Sequence, residues 1–178
     1  MLACVGLVYV TGISGAGKST VCVELRRRGF ESHDTDQEGN AVWVNRITGV
    51  QTLIAGARER SEPGWSDEQE WRAVPAKIVA LAERAADRVV FLCGSTANEH
   101  AVWDLFSTVE YLSIDERTLR HRLQSRTTND FGKSAIELAA ILEWHKVSDS
   151  DFARLGAVVI DATRSVHDVV DDVVRAAS

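Results

Sequence analysis

Residues 12–19 read Gly-Ile-Ser-Gly-Ala-Gly-Lys-Ser, and the apolar run Leu7-Val8-Tyr9-Val10 ends just before them. The residues that follow, Lys18 to Arg28, carry Val21 and Leu25 along one helical face. A buried strand, a GxxxxGKS loop and a helix in that order are the layout of a phosphate-binding loop. Gly12, Gly15 and Gly17 allow the tight turns that bring backbone N–H groups near phosphate oxygens, with Ser14 and Ala16 completing the cradle. The helix start adds unpaired donors and the positive end of its dipole. Lys18 is placed to reach the β- and γ-phosphates, and the Ser19 hydroxyl to ligate Mg²⁺. Thr20 is placed to contact the α-phosphate or to cap the helix.

The chain has 178 residues, 45 % of them hydrophobic, which suits one compact domain with its own core. Its formal net charge of −6 argues against extended nucleic-acid binding or an anionic membrane surface as the main role. No apolar run reaches the length of a bilayer span, and the apolar start lacks the basic region and cleavage pattern of a signal peptide. Cys4, Cys22 and Cys93 lie far apart in apolar surroundings without metal-ligand spacing. They read as free thiols, so a cytoplasmic location is expected. A monomer is the default expectation, with a homodimer as the alternative.

Strands are expected over about residues 5–11, 30–33, 89–93, 109–114 and 158–160. Helices are expected over about 18–28, 41–60, 67–86, 102–106, 134–154 and 166–173, with Ser66 and Gln69 forming a capping box and Ile136, Ala140, Trp144 and Val147 marking the apolar face of the long helix. Strands alternating with helices imply a parallel sheet covered on both faces by right-handed crossovers. Ligand then sits at the carboxyl ends of the strands. The loops at 12–19, 34–36, 94–96, 127–133 and 161–165 converge on that edge.

Phosphoryl transfer needs a triphosphate, magnesium and an acceptor held in line. Asp34 and Asp36 stand two apart just beyond the second strand, so an extended backbone points them the same way. Asp36 is assigned to the acceptor hydroxyl and Asp34 to magnesium. The strand 89–93 carries no acid at its end; Gly94 and Ser95 stand there, permitting close approach of a substrate and an N–H donor to it. Arg122 and Arg126 share a helical face ahead of the polar segment 127–133. Arg126 is the first candidate for a clamp on the transferring phosphoryl group. Arg122 is the second, and can equally stack on the base. Arg46 and Arg58 are candidates for holding an anionic group on the acceptor. Trp43, Trp65 and Trp71 either wall the acceptor pocket or form the small core of that region. Asp161 and Thr163 follow the last strand, where adenine can rest on backbone groups.

Together these residues resemble the adenylate-kinase-like group of P-loop kinases, shikimate kinase and gluconate kinase above all. The resemblance implies a three-layer α/β sandwich whose five parallel strands run in the order 2-3-1-4-5. It implies a single domain over residues 1–178, with an acceptor-binding insertion at about 37–86 and a short lid at about 124–135. It also implies ATP and Mg²⁺ as cofactors and a small-molecule acceptor. Asp34-Thr35-Asp36 resembles the segment whose first acid serves magnesium and whose second holds the acceptor. Gly94 resembles the glycine that faces the acceptor, Arg122 and Arg126 the arginines preceding the lid, and Asp161-Ala162-Thr163 the adenine-side loop. Two departures stand out. Cys93-Gly94-Ser95 replaces a glycine triplet, and Asn129-Asp130-Phe131-Gly132-Lys133 contains neither the Arg-Pro nor the His-Phe pair of those lids. A nucleoside, a nucleotide, a sugar acid or an antibiotic-like hydroxyl compound all fit as acceptor. The competing classes are a nucleotide hydrolase or switch, a polynucleotide 5′-hydroxyl kinase and a non-catalytic nucleotide-binding protein.

Overall fold

The structure, a computed structural model, describes residues 5–36, 38–52, 64–127 and 130–178, with Ser66 described in its backbone alone. Five parallel strands form its centre. These are β1 (Gly6–Thr11), β2 (Glu31–Asp34), β5 (Val89–Cys93), β6 (Phe106–Ser113) and β7 (Val158–Asp161), in the order β2-β5-β1-β6-β7. Counted over all seven strands this is 2-5-1-6-7, which differs from the expected 2-3-1-4-5 by the two strands inserted after β2; over the sheet's own five strands the order is 2-3-1-4-5. Two strands of a separate hairpin, β3 (Ala41–Asn45) and β4 (Gln69–Ala73), intervene in the chain between β2 and β5.

Helices cover both faces. On one face Val8 and Val10 of β1 pack against Val21, Cys22 and Leu25 of α1 (Lys18–Arg27). Leu119 and Leu123 of α4 (Glu116–Ser125), Ile141 of α5 (Ala135–Arg154) and Val169, Val170 and Val173 of α6 (Val166–Ala176) complete that core. On the other face Leu7, Tyr9, Val90 and Leu92 meet Ile78 and Leu81 of α3 (Pro75–Arg84). Each such fully buried Leu or Ile contributes about 1.5–3 kcal/mol. The helix starts follow capping rules: Asp115, Ser134 and Ser165 each accept a hydrogen bond from a backbone N–H three residues on. Among the described residues no helix is long and apolar enough to cross a membrane, and Cys22 and Cys93 are buried free thiols. Cys4 lies outside the described residues.

The segment after β2 departs most from its helical reading. Ala41–Asn45 is a strand, and most of the rest of that stretch lies outside the described residues. The expected helix over 67–86 divides into a short α2 (Trp65–Glu68), strand β4 and α3, with Pro75 at the start of α3. Gly64, in a left-handed conformation, takes the N-cap position of α2, so Ser66 stands inside the helix and not at the cap expected of it. Trp43 and Trp71 face each other across the hairpin with ring centroids 5.3 Å apart, and Trp65 lies 4.6 Å from Trp43. The aromatic residues therefore build the hairpin's own core through cross-strand contact, which outweighs the weak helical signal. The hairpin is tied to the sheet by Asn98, which accepts from Ala73 N–H at 2.7 Å and donates to its carbonyl at 3.3 Å. Two 3-10 turns, Glu99–Ala101 and Trp103–Leu105, replace the helix expected at 102–106.

Helix α5 forms as expected but is turned by about 90°, so a neighbouring face meets the core. Glu137 and Ile141 are buried, whereas Ile136, Trp144 and Val147 are exposed. The cause is polar. The Glu137 carboxylate accepts from Gly132 N–H at 2.9 Å and from the Ser134 hydroxyl at 3.1 Å, which turns its side inward. His145 lies 2.6 Å from the Ile114 carbonyl and fixes the same rotation further along.

Candidate active site

The carboxyl ends of β1, β2 and β7 open onto a cleft of about 320 Å³. Ser14 to Val21 form its floor, with Asp36 on one wall, Arg122 and Arg126 on another, and Ala162, Arg164, Val166 and Val169 at the far end. The floor depends on glycine. Gly15 and Gly17 have φ of 94° and 106°, a region that side chains disfavour. A Cβ on Gly12 would lie 2.9 Å from the Leu112 carbonyl oxygen, so the loop packs onto β6 only without one. Gly17 leads into α1, so the first helical N–H groups border the cleft, and Ser19 and Thr20 offer exposed hydroxyls there. Thr20 does not cap the helix.

The four cations of the cleft, Lys18, Arg122, Arg126 and Arg164, all hold backbone oxygens, Arg164 that of Asp161 at 3.2 Å. Lys18 Nζ donates to the carbonyls of Gly12 at 2.7 Å and Ile13 at 3.0 Å. Burial pushes its ammonium down to about 8, Asp36 draws it back up, and Arg126 pushes it further down. Arg122 donates to Ala16 O at 2.9 Å and Ala162 O at 2.8 Å, so it bridges the phosphate loop to the end of β7. Its planar fork is thereby committed to shaping the cleft rather than to a moving clamp. Arg126 stands nearer the loop. It donates to Ser14 Oγ at 3.2 Å and makes a short hydrogen bond to Phe131 O, while its Nε is buried without a partner. Burial lowers the pKa of both guanidinium groups.

The two acids after β2 separate in depth. Asp34 is buried, and one of its oxygens accepts from Asp36 N–H at 2.8 Å. Asp36 is exposed on the cleft wall, oriented by the Thr35 hydroxyl at 3.1 Å. The groups lining the cleft fit a triphosphate with magnesium: glycine-shaped amides, the Lys18 ammonium, the guanidinium groups of Arg122, Arg126 and Arg164, and the Ser19 hydroxyl; Asp34 is buried and is not among the lining residues.

Several expected site residues lie elsewhere. The N–H of Gly94 is taken by Val10 O at 3.0 Å and so does not serve a substrate. What requires glycine there is Thr35: a Cβ at position 94 would fall 1.8 Å from Thr35 Oγ1. Ser95 is half-buried beside it and does not line the cleft. Arg46 donates along the hairpin to Gln69 O at 3.4 Å and lies 3.9 Å from Glu70, away from the cleft. Arg58 lies outside the described residues. Asp161 is exposed and its carboxylate accepts from the Thr163 N–H and hydroxyl, at 2.9 and 2.6 Å. The pair shapes a turn, and Ala162 and Arg164 line the cleft in its place.

Glu99 was not read from the sequence. Its carboxylate accepts from the Tyr9 hydroxyl at 3.0 Å, and burial pushes its pKa up to about 7 against the pull of Tyr9 and Lys18. It shares a small crevice with Thr35, Thr96 and Tyr9. A carboxyl six residues past a strand has no fixed direction in sequence; only the 3-10 turn brings it back beside β1.

A family model described as an AAA domain matches residues 8–143. No curated protein matches the sequence significantly. Among solved structures, the shikimate kinase from Acinetobacter baumannii in complex with shikimate is similar with a TM-score of 0.61 and 19 % identity. That match covers 96 % of this chain and 92 % of that one. The shikimate kinase from Bacteroides thetaiotaomicron aligns with a TM-score of 0.57 and 16 % identity, over 96 % and 97 % of the two chains. A gluconokinase from Sinorhizobium meliloti 1021 aligns with 0.54 and 14 %, over 98 % and 93 %. At these identities the likeness is one of fold, that of P-loop small-molecule kinases.

Proposed function

From the premise that the chain belongs to the AAA domain family and has a P-loop kinase fold, we propose that it moves the γ-phosphoryl group of ATP to a hydroxyl of a small molecule. The observation that carries this reading is the placement of Lys18, Asp36 and Arg126 around one cleft. A cation on the floor, a carboxylate on one wall and a guanidinium on the other match the three needs of in-line transfer.

In this reading residues 12–20 hold the triphosphate through backbone N–H groups, Lys18 and the hydroxyls of Ser19 and Thr20. Ser19 and Asp34 are the residues that would hold magnesium, which would supply charge neutralisation to the phosphates. Asp36 accepts the proton of the attacking hydroxyl, or orients it, with Thr35 fixing its rotamer. Arg126 exchanges Ser14 for the transferring group and stabilises its developing charge. The chain acts as one domain, with the hairpin region (about 37–86) as acceptor-binding insertion and about 124–135 as lid. Its tie to Arg126 through Phe131 lets the lid exclude water as that arginine engages. The roles of Arg122, Asp161, Ala162 and Thr163 lie at the base end, and the buried free thiols Cys22 and Cys93 support a cytoplasmic site of action.

The test is a panel of hydroxyl compounds scored by ATP consumption and by product mass. It is run on the natural chain and on Lys18→Ala. Acceptor-dependent ADP release with a product heavier by one phosphoryl group is expected, falling at least about 10²-fold in the variant. ATP turnover that no acceptor changes points to a hydrolase, and turnover untouched in Lys18→Ala removes the lysine from the mechanism.

A further inference from the structure

The outward face of α5 carries four apolar side chains: Ile136 and Trp144 at 53 % and 51 % exposure, Val147 at 51 %, and Leu155 at 60 % just past the helix end. At about 100° per residue they fall in a single arc of about 100°. The long helix thus has two apolar faces, and only the one carrying Ile141 meets the core.

Their spacing is symmetric. Ile136 and Leu155 lie equally far from a point between His145 and Lys146, and so do Trp144 and Val147. A two-fold axis at that level sets Ile136 of one copy at the height of Leu155 of the other, and Trp144 at the height of Val147, so the stripe is its own complement. An isologous interface between identical chains has this requirement. The charges beside the stripe agree. Glu143 and Lys146 are both exposed on one flank of it, and they pair with each other at 2.6 Å within the helix. Antiparallel packing about the same axis sets this flank against its own copy. Glu143 of each chain then falls about 3 Å along the axis from Lys146 of the other, within reach of the long lysine stem. Each acid can thus meet a base across the axis, twice over by symmetry. The one acid within the stripe, Asp151, is already paired to Arg154 and falls opposite the small Ala140 of the second copy.

We propose that this face is a homodimer interface, with α5 packing antiparallel against α5 of a second copy of this chain. The helix is about 30 Å long, so a stripe about 10 Å wide gives roughly 600–1,000 Å² buried in total. That is the low end for specific association, and micromolar affinity is expected. The pairing is independent of phosphoryl transfer.

Sedimentation velocity of the natural chain from about 1 µM to about 1 mM should show monomer giving way to dimer. Trp144→Glu and, separately, Val147→Glu should each weaken the dimer at least about 100-fold. Both sites are exposed, and an unchanged thermal midpoint in either variant shows that folding is intact. Glu143→Lys should weaken association about tenfold at low salt and less at high salt. A natural chain that stays monomeric throughout overturns the proposal. A dimer that persists in both glutamate variants assigns dimerisation to another surface and overturns it equally.

Discussion

Glu110 gives the sharpest test of the core. It lies on β6 between Val10 of β1 and Val158 of β7, with no exposure to water. Neither carboxylate oxygen has a hydrogen-bond partner. Burial alone pushes its pKa from 4.5 to about 8. The sign follows from where the proton sits. The unfolded chain releases it near pH 4.5, whereas the folded chain keeps it until about pH 8. The ionisation of Glu110 therefore costs nothing below its unfolded pKa, and stability is lost progressively as pH rises from there through the folded value. At about 1.4 kcal/mol per pH unit, the loss is roughly 3 kcal/mol at neutral pH and approaches roughly 5 kcal/mol above the folded pKa. Against a typical total of about 5–15 kcal/mol this is a large share.

The assay is denaturant unfolding of the natural chain and Glu110→Gln at several pH values. Other carboxylates contribute to both profiles, so the difference between them isolates this group. The stability of Glu110→Gln relative to the natural chain should rise by about 1.4 kcal/mol per unit between about pH 5 and about pH 8, then level off. The absolute offset is less informative, because a buried amide brings its own unmet hydrogen bonds at roughly 1–3 kcal/mol. Glu110→Met avoids that cost and should raise the thermal midpoint by about 6–12 °C at neutral pH. Parallel profiles for the natural chain and Glu110→Gln would refute the reasoning, since they require a carboxyl ionised or neutral alike in both states.

Two further outcomes follow from the site. Asp36→Asn should bind a fluorescent ATP analogue within about threefold of the natural chain, while acceptor phosphorylation falls by about 10²–10⁴-fold; full transfer would remove Asp36 as the acceptor carboxylate. Gly94→Ala should cost at least roughly 1–3 kcal/mol by forcing Thr35 away, and Thr35→Ala on that background should recover part of it, both read by denaturant unfolding.

The sheet and the phosphate loop were legible because both are local: apolar runs end in turn residues, and GxxxxGKS fixes its geometry within eight positions. The hairpin was not. Its strands pair across more than twenty residues, and Trp43 finds Trp71 only by that long-range contact. The rotation of α5 was hidden for a related reason. Its sequence offers two apolar faces, and the choice is made by Glu137 reaching Gly132 and by His145 reaching Ile114. That Lys18, Asp36 and Arg126 line one cleft was legible because charge at a strand or helix end points to it. Gly94 was found for the wrong reason: its missing side chain makes room for Thr35, not for a substrate. Glu99 reaches Tyr9 through a 3-10 turn that has no periodic signature.

The cleft's cations also set how a nucleotide must enter. Lys18, Arg122 and Arg126 each already hold backbone oxygens. Phosphate binding at these groups would therefore be largely an exchange of partners, with Arg126 Nε the unmet donor among them, and its net gain the difference between charged and neutral acceptors. The exchange differs among them. Arg122 spans two elements, so releasing it would loosen the join between the phosphate loop and β7. Arg126 is bonded to Ser14 and Phe131, both beside the incoming phosphates, so its release frees the segment that follows α4. Under the proposed function, nucleotide binding would act on Phe131 through Arg126 and on the join between the phosphate loop and β7 through Arg122. That is the physical reason two arginines on one helical face have separable tasks.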